Sequence, residues 1–390
     1  MSGNAKNDTA VASVAAYRDK LESLREQVLA DAVMIGEIPA PTFEEDRLVN
    51  FLSDRFTEEG LDQVTVDEVH NVTAILPGKT GAKNILVAAH IDRVWDASID
   101  HTITVTSDSL IGPGIADNAL GVASLPMLPV MLQVLGIELD ANLVLLGASR
   151  SLGRGDLEGL RFFTDNVPMT IGAGVCVEGV QLGRLSYSSL GMNRCEINVS
   201  TPEEQHWESW SLSGAIITLN KIVQQILAIK IPVVPKTSII LGSIFSGSSF
   251  NVPSTRATLR FEVRSEEPGM VASIREQIEE LIEMTIAEQR VDVSLEVLAR
   301  RKPGSIGFDH PYVRAARDIL KGLDIDPLVA PSISELSVLI EKGIPSMTLG
   351  LTHGDRKHQL DESVQIAPLF KGLAQLVAVL QSIDQLLENE

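Results

Sequence analysis

Cysteine is scarce in this chain: two thiols, Cys176 and Cys195, in 390 residues. Neither belongs to a Cys-x-x-Cys spacing and both lie in apolar, strand-like stretches, which argues against a disulfide framework and a thiolate zinc site. Aromatic residues make up only 4% of the chain, and positive charge is outnumbered, 32 Lys and Arg against 52 Asp and Glu, for a net charge of −20. Such a balance repels phosphate backbones and anionic lipid, so nucleic acid is not an expected partner. Residues 1–9 are polar and carry no apolar core of signal-peptide length, which with the unpaired thiols predicts a cytoplasmic protein. One uncharged stretch, residues 119–137, approaches the length of a spanning helix. It contains Pro126 and Pro129 and runs straight into a charged turn, so a helix buried on a sheet is expected and no membrane partner.

The length exceeds that at which a single core stops growing, and two domains are expected. Helical periodicity over residues 14–35 and 43–59 flanks the break Ile38-Pro-Ala-Pro-Thr42. Short apolar strands then alternate with helical segments: strands at 72–76, 85–89, 143–147 and 174–177, with a helix from about 120. That alternation predicts an α/β class with a mostly parallel sheet sandwiched by helices. From residue 192 the order becomes strand (194–199), helix (212–228), two strands (237–244, 257–263), helix (268–287) and strand (291–298). This βαββαβ order is that of ferredoxin-like α+β domains. Arg300-Arg301-Lys302-Pro303-Gly304 reads as an exposed linker, after which the α/β pattern returns. The predicted organisation is one domain from residues 1–190 and 305–390 with a second, 191–304, inserted in it.

Acids and histidines just beyond apolar strands or in glycine-rich loops form a short set. His90 and Asp92 close the run Asn84-Ile-Leu-Val-Ala-Ala-His90-Ile-Asp92. Asp117 lies in Gly112-Pro-Gly-Ile-Ala-Asp117-Asn118, Glu178 follows Val175-Cys-Val, and His358 opens His358-Gln-Leu-Asp-Glu362. A strand-tip imidazole with a carboxylate two residues on is a common way to present a metal ligand, although a His-x-Asp triplet alone is a weak signal. Ligands in open α/β sheets bind beyond the carboxyl ends of strands, so these distant residues can converge. Two imidazoles and several carboxylates without sulfur suit zinc or a neighbouring divalent ion in an open site.

With these motifs the chain resembles the co-catalytic zinc exopeptidase and deacylase family that includes carboxypeptidase G, peptidase T, aminoacylase and acetylornithine deacetylase. The resemblance runs from about residue 35 to the C-terminus and adds Ile38-Pro-Ala-Pro-Thr-Phe-Glu-Glu45, Lys236-Thr-Ser, Gly247-Ser-Ser-Phe-Asn251, and Phe261-Glu-Val-Arg264. It implies a small peptide or N-acyl amino acid substrate and a homodimer formed through the inserted lid domain. It also implies one Zn2+ on His90, Asp117 and Glu178, with Asp117 bridging to a second ion that takes His358. Asp92 would orient His90. Asn251 and Arg264 would face the substrate or its oxyanion, and His206 would reach a neighbouring active site; Arg264 has a competing reading as the ion-pair partner of Glu262.

The pattern breaks at one place. The family carries Glu-Glu-x-Gly after the strand at 143–147, the first Glu as general base and the second as ligand to the second metal. Here the segment is Gly147-Ala-Ser-Arg150-Ser151-Leu-Gly153, and no shift restores the pair. Loss of a positioned base removes about 10² to 10⁴ of rate, and the second ion keeps only Asp117 and His358. One retained zinc site and an impaired second site are expected, with Arg150 adding repulsion beside the cation. Asp156 and Glu158 are expected at a helix N-terminus rather than as substitute bases. Two functions follow: a metal-dependent exopeptidase or amidohydrolase, or an inactive homologue that binds a ligand through Arg150 and Arg93 or serves as a dimeric interaction module.

Overall fold

Four largely apolar runs, carrying His90 and Glu178 only toward their carboxyl ends, form the centre of the molecule, because a strand buried on both faces has no side left for water. They are β3 (Asn84–His90), β4 (Asn142–Ala148), β5 (Ala173–Val180) and β12 (Ser346–Thr352). The computed structural model describes residues 14–201, 214–250, 252–289 and 291–388. These strands lie in an eight-stranded sheet with β1 (Asp62–Val66), β2 (Val72–Leu76), β6 (Arg184–Ser186) and β11 (Leu328–Val329), in the order β1-β2-β4-β3-β5-β12-β6-β11. The four central strands run parallel, β4 beside β3, β3 beside β5, and β5 beside β12. Their carboxyl ends therefore open on one side of the sheet, and the α/β class with a mostly parallel sheet is as the sequence predicts.

Alternation along these strands feeds two cores. Val87, Ala89, Leu145 and Val175 pack with α1 (Arg25–Glu37), α2 (Asp46–Glu58), α3 (Leu120–Leu135), α7 (Pro311–Gly322) and α9 (Leu369–Leu387). Leu86, Ala88, Val144 and Cys176 pack with α4 (Glu158–Asn166) and α8 (Leu336–Glu341) on the other face. Helix α2 shows the logic: Leu48, Leu52 and Phe56 recur at helical spacing and are fully buried, each contributing about 1.5–3 kcal/mol. An Asp at Leu52 would break that face. Together with the turn that precedes it, α3 forms a segment, Ile115–Leu135, long and apolar enough to cross a membrane, yet most of it is buried inside the protein. It carries Pro126 and Pro129 without interruption, since packing on nearly every side compensates for the two backbone hydrogen bonds that proline cannot make.

The chain divides into two compact units, residues 1–188 with 305–390, and Ser189–Gly304. The second unit has its own core and a four-stranded antiparallel sheet, β7 (Gly191–Ser200), β8 (Thr237–Ser246), β9 (Arg256–Ser265) and β10 (Asp292–Arg301), ordered β8-β9-β7-β10. Helices α5 (Ala215–Ala228) and α6 (Pro268–Gln289) complete the βαββαβ order. Arg300 and Arg301, expected in an exposed linker, instead pair in β10 with Asn193 and Met192 of β7, and Arg301 is buried. The ladder overrides the charge pattern. A sheet of strands two or three residues long, Thr104–Val105, Ser109–Ile111, Gly354–Asp355 and Ser363–Gln365, was not expected.

Candidate metal centre

His90 ends β3 and Glu178 lies near the end of neighbouring β5. Ala88 is in register with Cys176, so two residues further on His90 and Glu178 project from the same face. Asp117 comes from the turn Ile115–Ala119 that leads into α3, and two glycines make that turn possible. Gly114 has φ +81°, and a Cβ there would meet the Arg93 side chain at 2.5 Å. A Cβ on Gly179 would meet the Ala116 carbonyl at 2.5 Å, so only glycine lets the turn lie against β5. Asn118 fastens it: its Nδ2 donates to Val177 O at 2.9 Å, and its Oδ1 accepts from Gly179 N at 2.8 Å.

One ligand atom each from His90, Asp117 and Glu178 lies within 4.8 Å of the others, and all three residues are buried. His90 Nε2 faces Asp117 Oδ1 at 3.3 Å, and His358 Nε2 stands 2.7 Å from Asp117 Oδ2. The four residues predicted to meet do meet, with Asp117 in the middle. Burial alone would raise the Asp117 carboxyl, but hydrogen bonds from His358 and His90 and the charge of Lys357 hold it well below the usual carboxylate range. Burial pulls the His90 imidazole the other way, and Asp117 and Asp92 outweigh it, keeping the ring well above its ordinary value.

Asp92 meets the other ring nitrogen of His90, chiefly through its backbone. His90 Nδ1 is 3.1 Å from the backbone carbonyl of Asp92 and 3.5 Å from its Oδ1, so the carbonyl is the acceptor that leaves Nε2 aimed at Asp117. The Asp92 Oδ2 accepts from Thr42 Oγ1 and Leu152 N, each at 2.8 Å. Glu362, which closes the His358 motif, supplies a brace that its spacing does not signal. Its Oε1 accepts from Ala116 N at 3.0 Å and its Oε2 from His358 N at 2.9 Å, tying the Asp117 turn to the His358 loop.

The residues fit one divalent ion. Glu178 Oε2 is buried with no hydrogen-bond partner, the Lys357 ammonium standing 3.9 Å away, beyond hydrogen-bond reach; such an acceptor is one a cation satisfies, and the imidazole and carboxylate donors suit zinc or its neighbours. They do not fit a second. Among the described residues no other group of three His, Cys, Asp or Glu comes together, which leaves Asp117 and His358 alone at that place. Glu335, fully buried with one oxygen unpartnered, lies within electrostatic range of His90 without joining the group.

Several predicted contacts resolve otherwise. Arg150, expected to add repulsion beside the cation, pairs through Nη1 with Glu158 Oε1 at 2.9 Å, and its guanidinium lies 5.6 Å from the Phe43 ring centre. Glu158 begins α4, the helix N-terminal place predicted for it. Arg93 is not an anion contact: it is 1% exposed and donates to the carbonyls of Ile35, Gly36 and Ile38 at 2.5–2.8 Å. Those carbonyls end α1, where partial negative charge accumulates. Arg264 pairs with Glu262 (Nε–Oε2 2.8 Å), and Glu262 also takes Arg194 at 2.7 Å. That ladder of cross-strand charges suits the solvent face of the β7–β9 pair. His206 and Asn251 lie outside the described residues. Two cations at the site were missed. Lys357 Nζ is 3.0 Å from Asp117 Oδ1 and Arg184 Nη1 is 3.6 Å from Glu178 Oε1; no spacing in the sequence signals either.

Comparison with known proteins agrees on the fold. Residues 71–146, well under half the chain, match the model of peptidase family M28. No curated relative matches the chain by sequence. A tripeptidase from Staphylococcus aureus superposes with a TM-score of 0.73 at 18% identity, covering 93% of this chain and 99% of that one. The dipeptidase Dug1p from Saccharomyces cerevisiae gives 0.76 at 14%, covering 96% and 99%. A dinuclear metal-binding peptidase of the M20 family from Bacillus subtilis gives 0.63 at 15%, covering 93% and 98%.

Proposed function

We propose, from the premise that this chain has the fold of the M20-family metallopeptidases, that it is a mononuclear metal-dependent hydrolase of amide bonds in small peptides or N-acyl amino acids. The observation that carries the reading is the convergence of His90, Asp117 and Glu178 within 4.8 Å together with the orphaned Glu178 oxygen. A divalent ion held there, zinc in our reading, supplies Lewis-acid activation of water and of the scissile carbonyl. The chain's own work is positional: Asn118 and Gly179 set the Asp117 turn on β5, and Glu362 holds the His358 loop to it. Substrate contact by His206, Asn251 and Arg264 rests on the sequence resemblance alone, and Arg264 is engaged with Glu262. Dimerisation through the second unit is supported by exposed apolar residues Ile240, Ile244 and Phe245 on β8; sedimentation of the full chain at twice the monomer mass tests it.

Turnover is expected to be slow, because the general-base position is Arg150, bound to Glu158. That pairing favours a second reading, a homologue that binds metal and peptide without cleaving. Incubation with di- and tripeptides and N-acyl amino acids in the presence of zinc, manganese or cobalt separates the two. Metal-dependent release of amino acid that His90→Ala abolishes supports hydrolysis. Metal uptake without release supports the binder, and absence of uptake rejects both.

A further inference from the structure

The carboxylates of the metal centre already face two cations of the chain. Lys357 Nζ lies 3.0 Å from Asp117 Oδ1 and 3.9 Å from Glu178 Oε2. Arg184 takes the other Glu178 oxygen at 3.6 Å. Lys357 thus sits on the same Asp117 oxygen that faces His90 Nε2 at 3.3 Å, spanning the two acids of the candidate triad. A divalent ion bound to those oxygens stands about 2.0–2.2 Å from each, so it and the ammonium compete for one place. Two positive charges a few ångströms apart in a buried cleft repel strongly.

We propose that Lys357 is a tethered counter-ion: it occupies the metal pocket of the metal-free protein and must swing outward before a divalent ion enters. The inference rests on the mononuclear reading and adds how loading of that site is regulated. Burying Asp117 and Glu178 without a cation would be costly, and Lys357 removes that cost in the empty protein. The side chain can leave, because it is 38% exposed and carries a flexible four-carbon stem. Arg184, on the outer oxygen of Glu178, has no need to move. Metal affinity is accordingly set by an exchange of one cation for another, and weakened by the cost of displacing the first.

The test compares the full-length wild type, Lys357→Ala and Lys357→Arg, each stripped with chelator, by zinc titration calorimetry and by thermal melting with chelator or with saturating zinc. Lys357→Ala is expected to bind zinc roughly tenfold tighter or more, at one ion per chain, because repulsion is gone. It is expected to melt below wild type in chelator and not below it in zinc, while Lys357→Arg stays near wild type in both. Equal or weaker zinc binding by Lys357→Ala, or an unchanged melting temperature in chelator, overturns the inference and leaves the mononuclear reading standing. Zinc uptake by none of the three overturns both.

Discussion

A glutamine at position 362 would offer one acceptor oxygen to two backbone N–H groups, those of Ala116 and His358, which the present carboxylate satisfies separately. Glu362→Gln is therefore expected to cost about 1–3 kcal/mol of stability, read by denaturant unfolding, and to weaken zinc binding through a loosened Asp117 turn. Arg93→Met would leave the α1 carbonyls without donors; a loss of about 1–3 kcal/mol is predicted from leaving buried acceptors unsatisfied. Burial pushes the Cys195 thiol up to about 12 and the Cys176 thiol well above its usual value. Neither should react with a disulfide reagent at pH 8 in the native protein, and both should react after denaturation. His90 was legible in the sequence because an unbroken apolar run ends at it. Lys357 was not, since its partners, Asp117 in a turn and Glu178 on β5, lie far from it in sequence and no local pattern marks the meeting.

Among the elements, the turn before α3 is the one on which the site depends. Gly179→Ala would push a methyl into the Ala116 carbonyl. The expected cost is about 1–3 kcal/mol of overpacking, with zinc affinity falling while the fold, read by circular dichroism, is kept. Unchanged affinity would mean that the turn does not position Asp117. The central strands were readable as unbroken apolar runs and the helices by their 3.6-residue period. Strands such as Ser109–Ile111 were not, since three residues carry no alternation. Arg300 and Arg301 misled because their charge suggested solvent, whereas pairing with β7 decides their conformation.

At the scale of the molecule, the two units have separate cores, from which each is expected to unfold on its own. Calorimetry is expected to resolve two transitions, with zinc raising only that of the unit that carries His90, as binding to the native state requires. The second unit, Ser189–Gly304, begins close to residue 192, where the sequence pattern changes from alternating strands and helices to the βαββαβ order. The most direct test is the number of ions held by the protein dialysed against zinc and then freed of excess, counted by elemental analysis. One per chain, lost in His90→Ala, is the predicted result; two per chain, or none, would contradict the account.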